Sequence, residues 1–163
     1  MATCSDLIVC RWGARFRGVQ FPVAIGRGGI GKKRGEGDNI TPCGEYRIME
    51  VFHRADRRVG RTRAIGPNDG WSDDPRDPDY NHLIDRRQTA FSHENLTRGD
   101  GLYDLIAVLD FNYPDAVPGA GSAIFLHCWR RPRFPTAGCV ALSPGRLCWV
   151  LENWTRQSRV IIR

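Results

Sequence analysis

The sequence predicts a mainly β domain with long loops and one or two short helices. Most of its apolar residues fall in short runs of strand character, the longest at residues 105–111. Residues 54–101, by contrast, are rich in Asp, Arg, Gly and Pro and show little apolar periodicity, as expected for loops. Helical spacing is found in one segment near the carboxyl end. The 163 residues, 41% of them hydrophobic, suffice to bury a core and predict a single domain, residues 1–163.

The amino-terminal half begins with short strands. Residues 7–12 and 19–25 are predicted strands, and Pro22 in the second indicates a sheet edge or an irregularity. Gly26 to Gly31 fit the pattern G-x-G-x-x-G, but a polar, turn-forming run follows where a dinucleotide-binding fold needs a helix. We therefore reject a nucleotide site there. A further strand is predicted over residues 47–52.

The middle of the chain is predicted to form long ordered loops over a sheet, across residues 54–101. Its acidic residues suggest calcium at first sight, but intervening prolines and the lack of a closing Glu break the EF-hand pattern. Turn capping is the better interpretation. The residues concerned are Asp69, Asp73, Asp74, Asp77 and Asp79.

The carboxyl-terminal third of the chain is predicted to supply the core strands and the helix. Residues 105–111 form a nearly continuous apolar run, typical of a strand covered on both faces. Residues 123–129 are a second apolar strand, and residues 158–162 a last one. Between them, Ser143 and Pro144 are an N-cap and a first helical position. Helical spacing then predicts one amphipathic helix packed on the sheet, through Leu147, Val150, Leu151 and Trp154.

The charge of the chain identifies no partner by itself. The net charge is +6, and 22 of the 24 basic residues are Arg, since only Lys32 and Lys33 are lysines. Six arginines lie between Arg47 and Arg63, but aromatic residues that could stack on bases are not interleaved with them. A solvated basic face is therefore a better interpretation than a nucleic-acid site.

The six cysteines, at positions 4, 10, 43, 128, 139 and 148, show no C-x-x-C spacing. This argues against a zinc ribbon or a thioredoxin-like site, and we predict no metal and no cofactor. Some cysteines could pair in an oxidising compartment, but we predict no disulfide through Cys139.

The first residues carry no basic segment, their apolar run is too short for a signal peptide, and no stretch approaches a membrane span.

A Cys-His pair is the strongest chemical signal in the chain. His127 lies near the end of the strand at residues 123–129, and a loop rich in Pro and Arg then turns the chain back, so that Cys139 is expected beside that strand. An imidazole next to a thiol can take its proton and create a nucleophile. Gly138 leaves room for a sharp turn whose N–H groups face an oxyanion. The alternative is a buried, inert Cys and a structural His.

The motif around this pair resembles the active-site signature of the L,D-transpeptidases, the YkuD-type catalytic domain. Thr136, Gly138 and Cys139 match its Ser/Thr-x-Gly-Cys pattern. Ala137 stands where most members have His, and residues 140–142 lack the Arg that usually follows the Cys. Upstream, residues 41–46, TPCGEY, are similar to the family's TPxGxF/Y turn. The resemblance covers nearly the whole chain and is to short, divergent members of alphaproteobacterial type.

The resemblance implies a YkuD-like β-sandwich of mixed sheets and a peptidoglycan L,D-transpeptidase activity. Cys139 would attack the L-D bond of a tetrapeptide stem, release D-Ala and pass the acyl group to a stem-peptide amine, with a 1-3 cross-link favoured over a 3-3 one. His127 would act as base, and carbapenem acylation of Cys139 is expected. Alternatives are an L,D-carboxypeptidase, another cysteine acyl hydrolase, or a non-catalytic module that binds wall polymer or nucleic acid.

Residues on the substrate side are predicted in two groups. Thr136 lies in the motif, and the loop arginines Arg130, Arg131 and Arg133 suit the stem carboxylates, since a guanidinium binds them bidentately. Tyr80 and Asn81 are assigned to substrate by the resemblance; in the structural alternative, Tyr80 packs and Asn81 closes a turn. The expected partners are peptidoglycan stem peptides, as donor and acceptor, and not nucleic acid. Such a substrate implies the periplasm, although no signal peptide is predicted; an unconventional export route and a cytoplasmic role on precursors are the two alternatives.

Overall fold

The computed structural model describes residues 2–56 and 62–163. In that part the chain forms fifteen strands and one helix, a mainly β fold with mixed sheets, as predicted. In chain order they are β1 (Leu7–Cys10), β2 (Gly13–Phe16), β3 (Val19–Phe21), β4 (Ile30–Gly31), β5 (Thr41–Pro42), β6 (Gly44–Tyr46), β7 (Ile48–His53), β8 (Arg63–Ala64), β9 (Asp69–Ser72), β10 (Leu83–Asp85), β11 (His93–Asn95), β12 (Leu105–Leu109), β13 (Phe125–Cys128), β14 (Val140–Leu142), α1 (Pro144–Glu152) and β15 (Val160–Ile162).

The first five-stranded sheet has the order β3-β2-β1-β15-β6 and joins the two ends of the chain. β15 lies parallel to β1 and antiparallel to β6. An ion pair between the buried Asp6 and Arg159, 2.8 Å from Oδ2 to Nη2, closes the start of this pairing. The predicted strand at residues 19–25 is shorter, ending before Pro22 at the sheet edge, and β2 was not predicted.

The second five-stranded sheet, β14-β13-β12-β7-β8, contains the core strand. All five residues of β12 are buried, which confirms the prediction of a strand covered on both faces. β12 runs antiparallel to both β7 and β13, whereas β14 runs parallel to β13, with Leu126 opposite Val140. This parallel pair places the end of the predicted loop beside the predicted strand.

Two apolar clusters cover the two faces of β12 and β13. One lies between the sheets and receives α1, whose Leu147 and Val150 are fully buried. The predicted helix start is confirmed, because Ser143 Oγ accepts the Arg146 N–H at 3.3 Å and Pro144 begins the helix. The other cluster, on the opposite face, includes the fully buried Phe125.

The prediction of loops alone over residues 54–101 is wrong. Three short strands there form a sheet of their own, in the order β10-β9-β11, held to β13 by the fully buried Trp71. Strands of three or four residues are too short to show a periodicity. Part of the predicted basic face, residues 57–61, lies outside the described residues.

Turn capping by the acidic residues of this region is confirmed for three of them. Asp69, Asp74 and Asp77 each accept a main-chain N–H from a residue two or three positions away, at 2.9 to 3.0 Å. Within residues 2–56 and 62–163, no helix has the length and apolar character needed to cross a membrane.

Candidate active site

A cavity of about 540 Å³ lies at the edge of the second sheet, over the ends of β13 and β14. Cys139 and His127 both line it, together with side chains from the loops around residues 33–37, 92–103 and 130–138. The sequence prediction that the two residues are brought to one place is therefore fulfilled. His53, His82 and His93, the other histidines, are not among the residues that line this cavity.

The loop before Cys139 is held in place by the segment at residues 24–27. The Thr136 N–H donates to Ile25 O at 2.9 Å, and the Arg27 N–H donates to Thr136 O at 3.0 Å. Ala24 and Ala141 then exchange two hydrogen bonds of 2.8 Å. These main-chain contacts fix the path of the loop on both sides of Cys139.

The turn itself is closed by Thr136. Its hydroxyl donates to Cys139 O at 2.6 Å and accepts the Gly138 N–H at 3.1 Å. Gly138 has a φ of +148°, and a Cβ there would lie 3.0 Å from Ile40 O, so this position requires glycine. Thr136 thus shapes the turn, and the Gly138 N–H predicted to face an oxyanion is bonded to Thr136 in this structure.

The Cys139 thiol makes two main-chain contacts. Sγ–H donates to Ala123 O at 3.0 Å, and Sγ accepts the Phe125 N–H at 3.4 Å. Burial raises the pKa of Cys139 to about 12; the Phe125 amide opposes this rise, and the Glu94 carboxylate adds to it. The thiol is therefore neutral at physiological pH.

His127 is neutral for the same reason. Its side chain is 6% exposed and packs edge-on against the Tyr103 ring, with 5.5 Å between ring centroids. Burial lowers the pKa of His127 to about 4, against the opposite effect of the main-chain carbonyls of Cys128 and Leu102. Nδ1 lies 2.8 Å from Cys128 O. Since a carbonyl can only accept, we assign the proton to Nδ1, which leaves the lone pair on Nε2.

The two groups share one face of the sheet. β13 and β14 run parallel with Leu126 opposite Val140, so Cys139 lies opposite Phe125. Phe125 and His127 are two positions apart on β13, so their side chains point the same way. Two positions along a strand span roughly 6.6 Å. The thiol donates its proton to Ala123 O, and the site at rest holds a neutral thiol and a neutral imidazole that line the same cavity.

Asn81 was predicted to contact substrate, but its side chain is 2% exposed and fully used within the protein. Oδ1 accepts from Trp71 Nε1 and from the Ala123 N–H, both at 2.9 Å. Nδ2 donates to the main-chain carbonyls of Phe111 and Asn112. These contacts hold Ala123 at a φ of +51°, the conformation in which its carbonyl meets the thiol.

Tyr80 also fits the structural alternative better than substrate contact. Its side chain is 2% exposed. The hydroxyl donates to Glu36 and accepts the Gly121 N–H at 3.0 Å. Tyr80 thus braces the loop that leads into β13.

The three loop arginines separate in space. Arg130 lines the cavity, and its Nη2 lies 3.6 Å from Asp100 Oδ2. Arg131 instead covers the Phe134 ring at 4.7 Å, and the exposed Arg133 reaches Trp12 O at 3.5 Å. Of the three, Arg130 alone is among the residues lining the cavity.

Several charged residues of the cavity were not predicted from the sequence. They are Lys33, Glu36, Asp73, Glu94 and Arg98. One signal was available: Lys33 belongs to the only lysine pair in a chain that otherwise uses Arg. The others come from segments without a motif, and only the fold brings them together.

Two further features concern possible metal ligands and the state of the cysteines. In the described part of the chain, no group of three or more His, Cys, Asp or Glu side chains could hold a metal ion. All six cysteines lie in that part, and none of them forms a disulfide bond.

The chain also matches a known protein family. Residues 11–162 match the family described as YkuD, L,D-transpeptidase catalytic domain. No curated protein and no solved structure matches the chain.

Removing the Asn81 side chain should destabilise the protein. Asn81→Gly keeps the backbone free to adopt the positive φ of 59° but leaves Trp71 Nε1 and the Ala123 N–H unpaired in the interior. We expect the free energy of unfolding to fall by about 3 kcal/mol, since each buried unpaired group costs roughly 1–3 kcal/mol. Denaturant unfolding measures this, with Asn95→Gly at an exposed position as control. A loss below about 1 kcal/mol would contradict this structural role and favour the predicted contact of Asn81 with substrate.

Proposed function

The chain belongs to the L,D-transpeptidase family, and from this premise we propose that it is a peptidoglycan L,D-transpeptidase acting as one catalytic domain, residues 1–163. The observation that carries the proposal is that Cys139 and His127 line one cavity, on the same face of the second sheet. Such a placement favours catalysis over an inert, core-packed Cys. We therefore favour an enzyme over a non-catalytic binding module.

The first step is attack by Cys139 on the carbonyl of the L-D peptide bond of a tetrapeptide stem. The thiol leaves Ala123 O and gives its proton to Nε2 of His127. A bond forms between sulfur and the carbonyl carbon, and the carbonyl electron pair moves to the oxygen. Collapse of this intermediate expels the D-Ala amine, which takes the proton from His127. The product is a thioester on Cys139.

The neutral state of both groups supports general-base catalysis over a preformed ion pair. Burial lowers the pKa of His127 to about 4 and raises the pKa of Cys139 to about 12, so proton transfer before substrate binding is unfavourable. The thiolate then forms only as the sulfur attacks. The oxyanion would be met by the Cys139 N–H, and by the Gly138 N–H if this group leaves Thr136 Oγ1.

The acyl acceptor is proposed to be an amine. Carboxylates of Glu36, Asp73 and Glu94 line the cavity that holds the nucleophile, and burial raises the pKa of Glu94. Asp73 Oδ1 is buried and has no hydrogen-bond partner among the residues described. These carboxylates can bind an ammonium group, which must lose a proton before its nitrogen attacks the thioester. We favour the amine of the first stem residue, a 1-3 cross-link, over the 3-3 product.

The cellular setting follows from the substrate. Peptidoglycan stems are reached in the periplasm, and we propose that location, with a role in wall biogenesis and cell shape. Acylation of Cys139 by a carbapenem is expected on the same chemistry, because the drug presents a strained carbonyl to the thiol.

Mass spectrometry of products from a disaccharide-tetrapeptide tests the function. The parent protein should give a dimer that lacks one D-Ala, and Cys139→Ala should give none. Fragmentation of the dimer assigns the acceptor amine. A monomer lacking D-Ala would identify a carboxypeptidase instead. No product and no acyl-enzyme would contradict the proposal and favour a binding module.

Arg130 is expected to contribute to substrate binding, unlike its neighbours. Arg130→Ala should raise the KM for the tetrapeptide donor about fivefold with little change in kcat, the effect of one exposed ionic contact. Arg131→Ala and Arg133→Ala are matched controls on the same loop, and their KM should stay near that of the parent. Equal effects at all three positions, or none at Arg130, would contradict the assignment.

A further inference from the structure

A lysine is buried next to the nucleophile turn. The Lys33 side chain is 4% exposed, and its Nζ lies 2.7 Å from Asp38 Oδ1 and 3.5 Å from Ile40 O. Removing an ammonium group from water is costly unless partners compensate for it. The fold supplies these partners, and none of the steps described so far uses them.

The partner carboxylate is itself held by the main chain. Asp38 Oδ2 accepts the Arg34 N–H at 2.7 Å, and Oδ1 accepts the Ile40 N–H at 2.9 Å. Burial raises the pKa of Asp38, but the Arg34 amide, the Lys33 ammonium and the Ile40 amide outweigh it and bring the pKa to about 2. Asp38 therefore stays ionised, and its charge is shared among three donors.

Two glycines make room for Lys33. A Cβ at Gly121 would lie 2.6 Å from Lys33 Cε, and a Cβ at Gly138 would lie 3.5 Å from Lys33 Nζ. Both glycines have positive φ, +108° and +148°. The stem of Lys33 thus passes over one loop, and its ammonium group ends beside the residue that precedes Cys139. Lys33 also lines the cavity that Cys139 lines.

We propose that Lys33 acts through Cys139. Its ammonium group stabilises the negative charge that forms on the Cys139 sulfur and on the attacked carbonyl oxygen. The effect on the carbonyl oxygen rests on the proposed acyl transfer. The effect on the thiol does not, because any attack by Cys139 on an electrophile requires the same charge on sulfur.

The charges around Cys139 leave this role to Lys33. The neutral His127 supplies no charge, and Glu94 opposes the thiolate. Arg98 also lines the cavity and, like Lys33, is paired with a carboxylate, that of Asp100. Lys33 differs because its ammonium group lies beside Gly138, the residue that precedes Cys139, and lowers the pKa of the thiol. Tyr103 is buried and its pKa is raised, so its hydroxyl is neutral. The charged or titratable groups that interact with the thiol are thus Lys33, Glu94 and Tyr103, and His127 lines the same cavity.

Alkylation of Cys139 by iodoacetamide tests the proposal without any peptidoglycan substrate. The rate is followed at several pH values, and peptide mass spectrometry separates Cys139 from the other five cysteines. Lys33→Met should lower the rate at Cys139 by on the order of tenfold at each pH, because a nearby cation shifts a thiol pKa by about one unit or more. Lys33→Arg should restore most of the rate. The matched control is Lys32→Met, at an exposed neighbour, which should behave as the parent.

A purely structural role predicts the opposite sign. If Lys33 only supports the turn, its loss would loosen the site and speed the alkylation of Cys139, with Lys33→Arg no better than Lys33→Met. Either a faster or an unchanged rate in folded Lys33→Met would overturn the proposal. If circular dichroism shows that Lys33→Met does not fold, Lys33→Gln, which keeps a hydrogen-bond donor without the charge, is measured with the same expected loss. Because iodoacetamide reports on the thiol alone, a failure here is distinct from a failure of the transpeptidase assignment.

Discussion

The parallel pairing of β13 with β14 is the constraint on which the site depends. Parallel neighbours need a crossover, usually a helix, but here residues 129–139 cross as a loop that holds its shape by contacts with the segment at residues 24–27. This crossover puts Cys139 directly before β14 and His127 near the end of β13. Two sets of hydrogen bonds hold Cys139 in this position. Thr136 closes the turn through Gly138 and Cys139, and Asn81 holds the main chain of Ala123.

Burial of two titratable groups is the second feature of the site, and it has a cost. His127 is held neutral with a pKa near 4, below its unfolded value of 6.5, so the unfolded chain binds more protons between these values and stability falls as pH drops through that window. Cys139 is held neutral with a pKa near 12, above 9.0, so stability falls as pH rises from 9 towards 12. The site thus trades stability at both extremes for a water-poor cavity, in which a nearby charge such as that of Lys33 has a larger effect.

The sequence predicted the parts of the fold that carry strong local signals. The apolar run of β12, the Ser143-Pro144 helix start and the loop that returns Cys139 to β13 were all found where expected. The strands β9 to β11 were missed because they are too short for a periodicity, and Trp71 is recognised as their anchor only once the chain is folded.

The site was predictable only in its reactive pair. Cys139 and His127 stand in a motif, whereas Asn81 and Tyr80 were placed on the substrate side when their polar atoms are used inside the protein. The role of Lys33 depends on backbone conformations at Gly121 and Gly138, far from it in the chain, and no local pattern encodes that contact.

At rest, the site holds a neutral thiol and a neutral imidazole, with the thiol proton on Ala123 O. The most direct test is the ultraviolet absorbance of thiolate, taken as the difference between the parent protein and Cys139→Ser over a pH titration. We predict no thiolate signal from Cys139 at neutral pH, and little even one unit above the unperturbed cysteine pKa of 9.0. A full thiolate signal at neutral pH would contradict the account, because it would show a preformed ion pair.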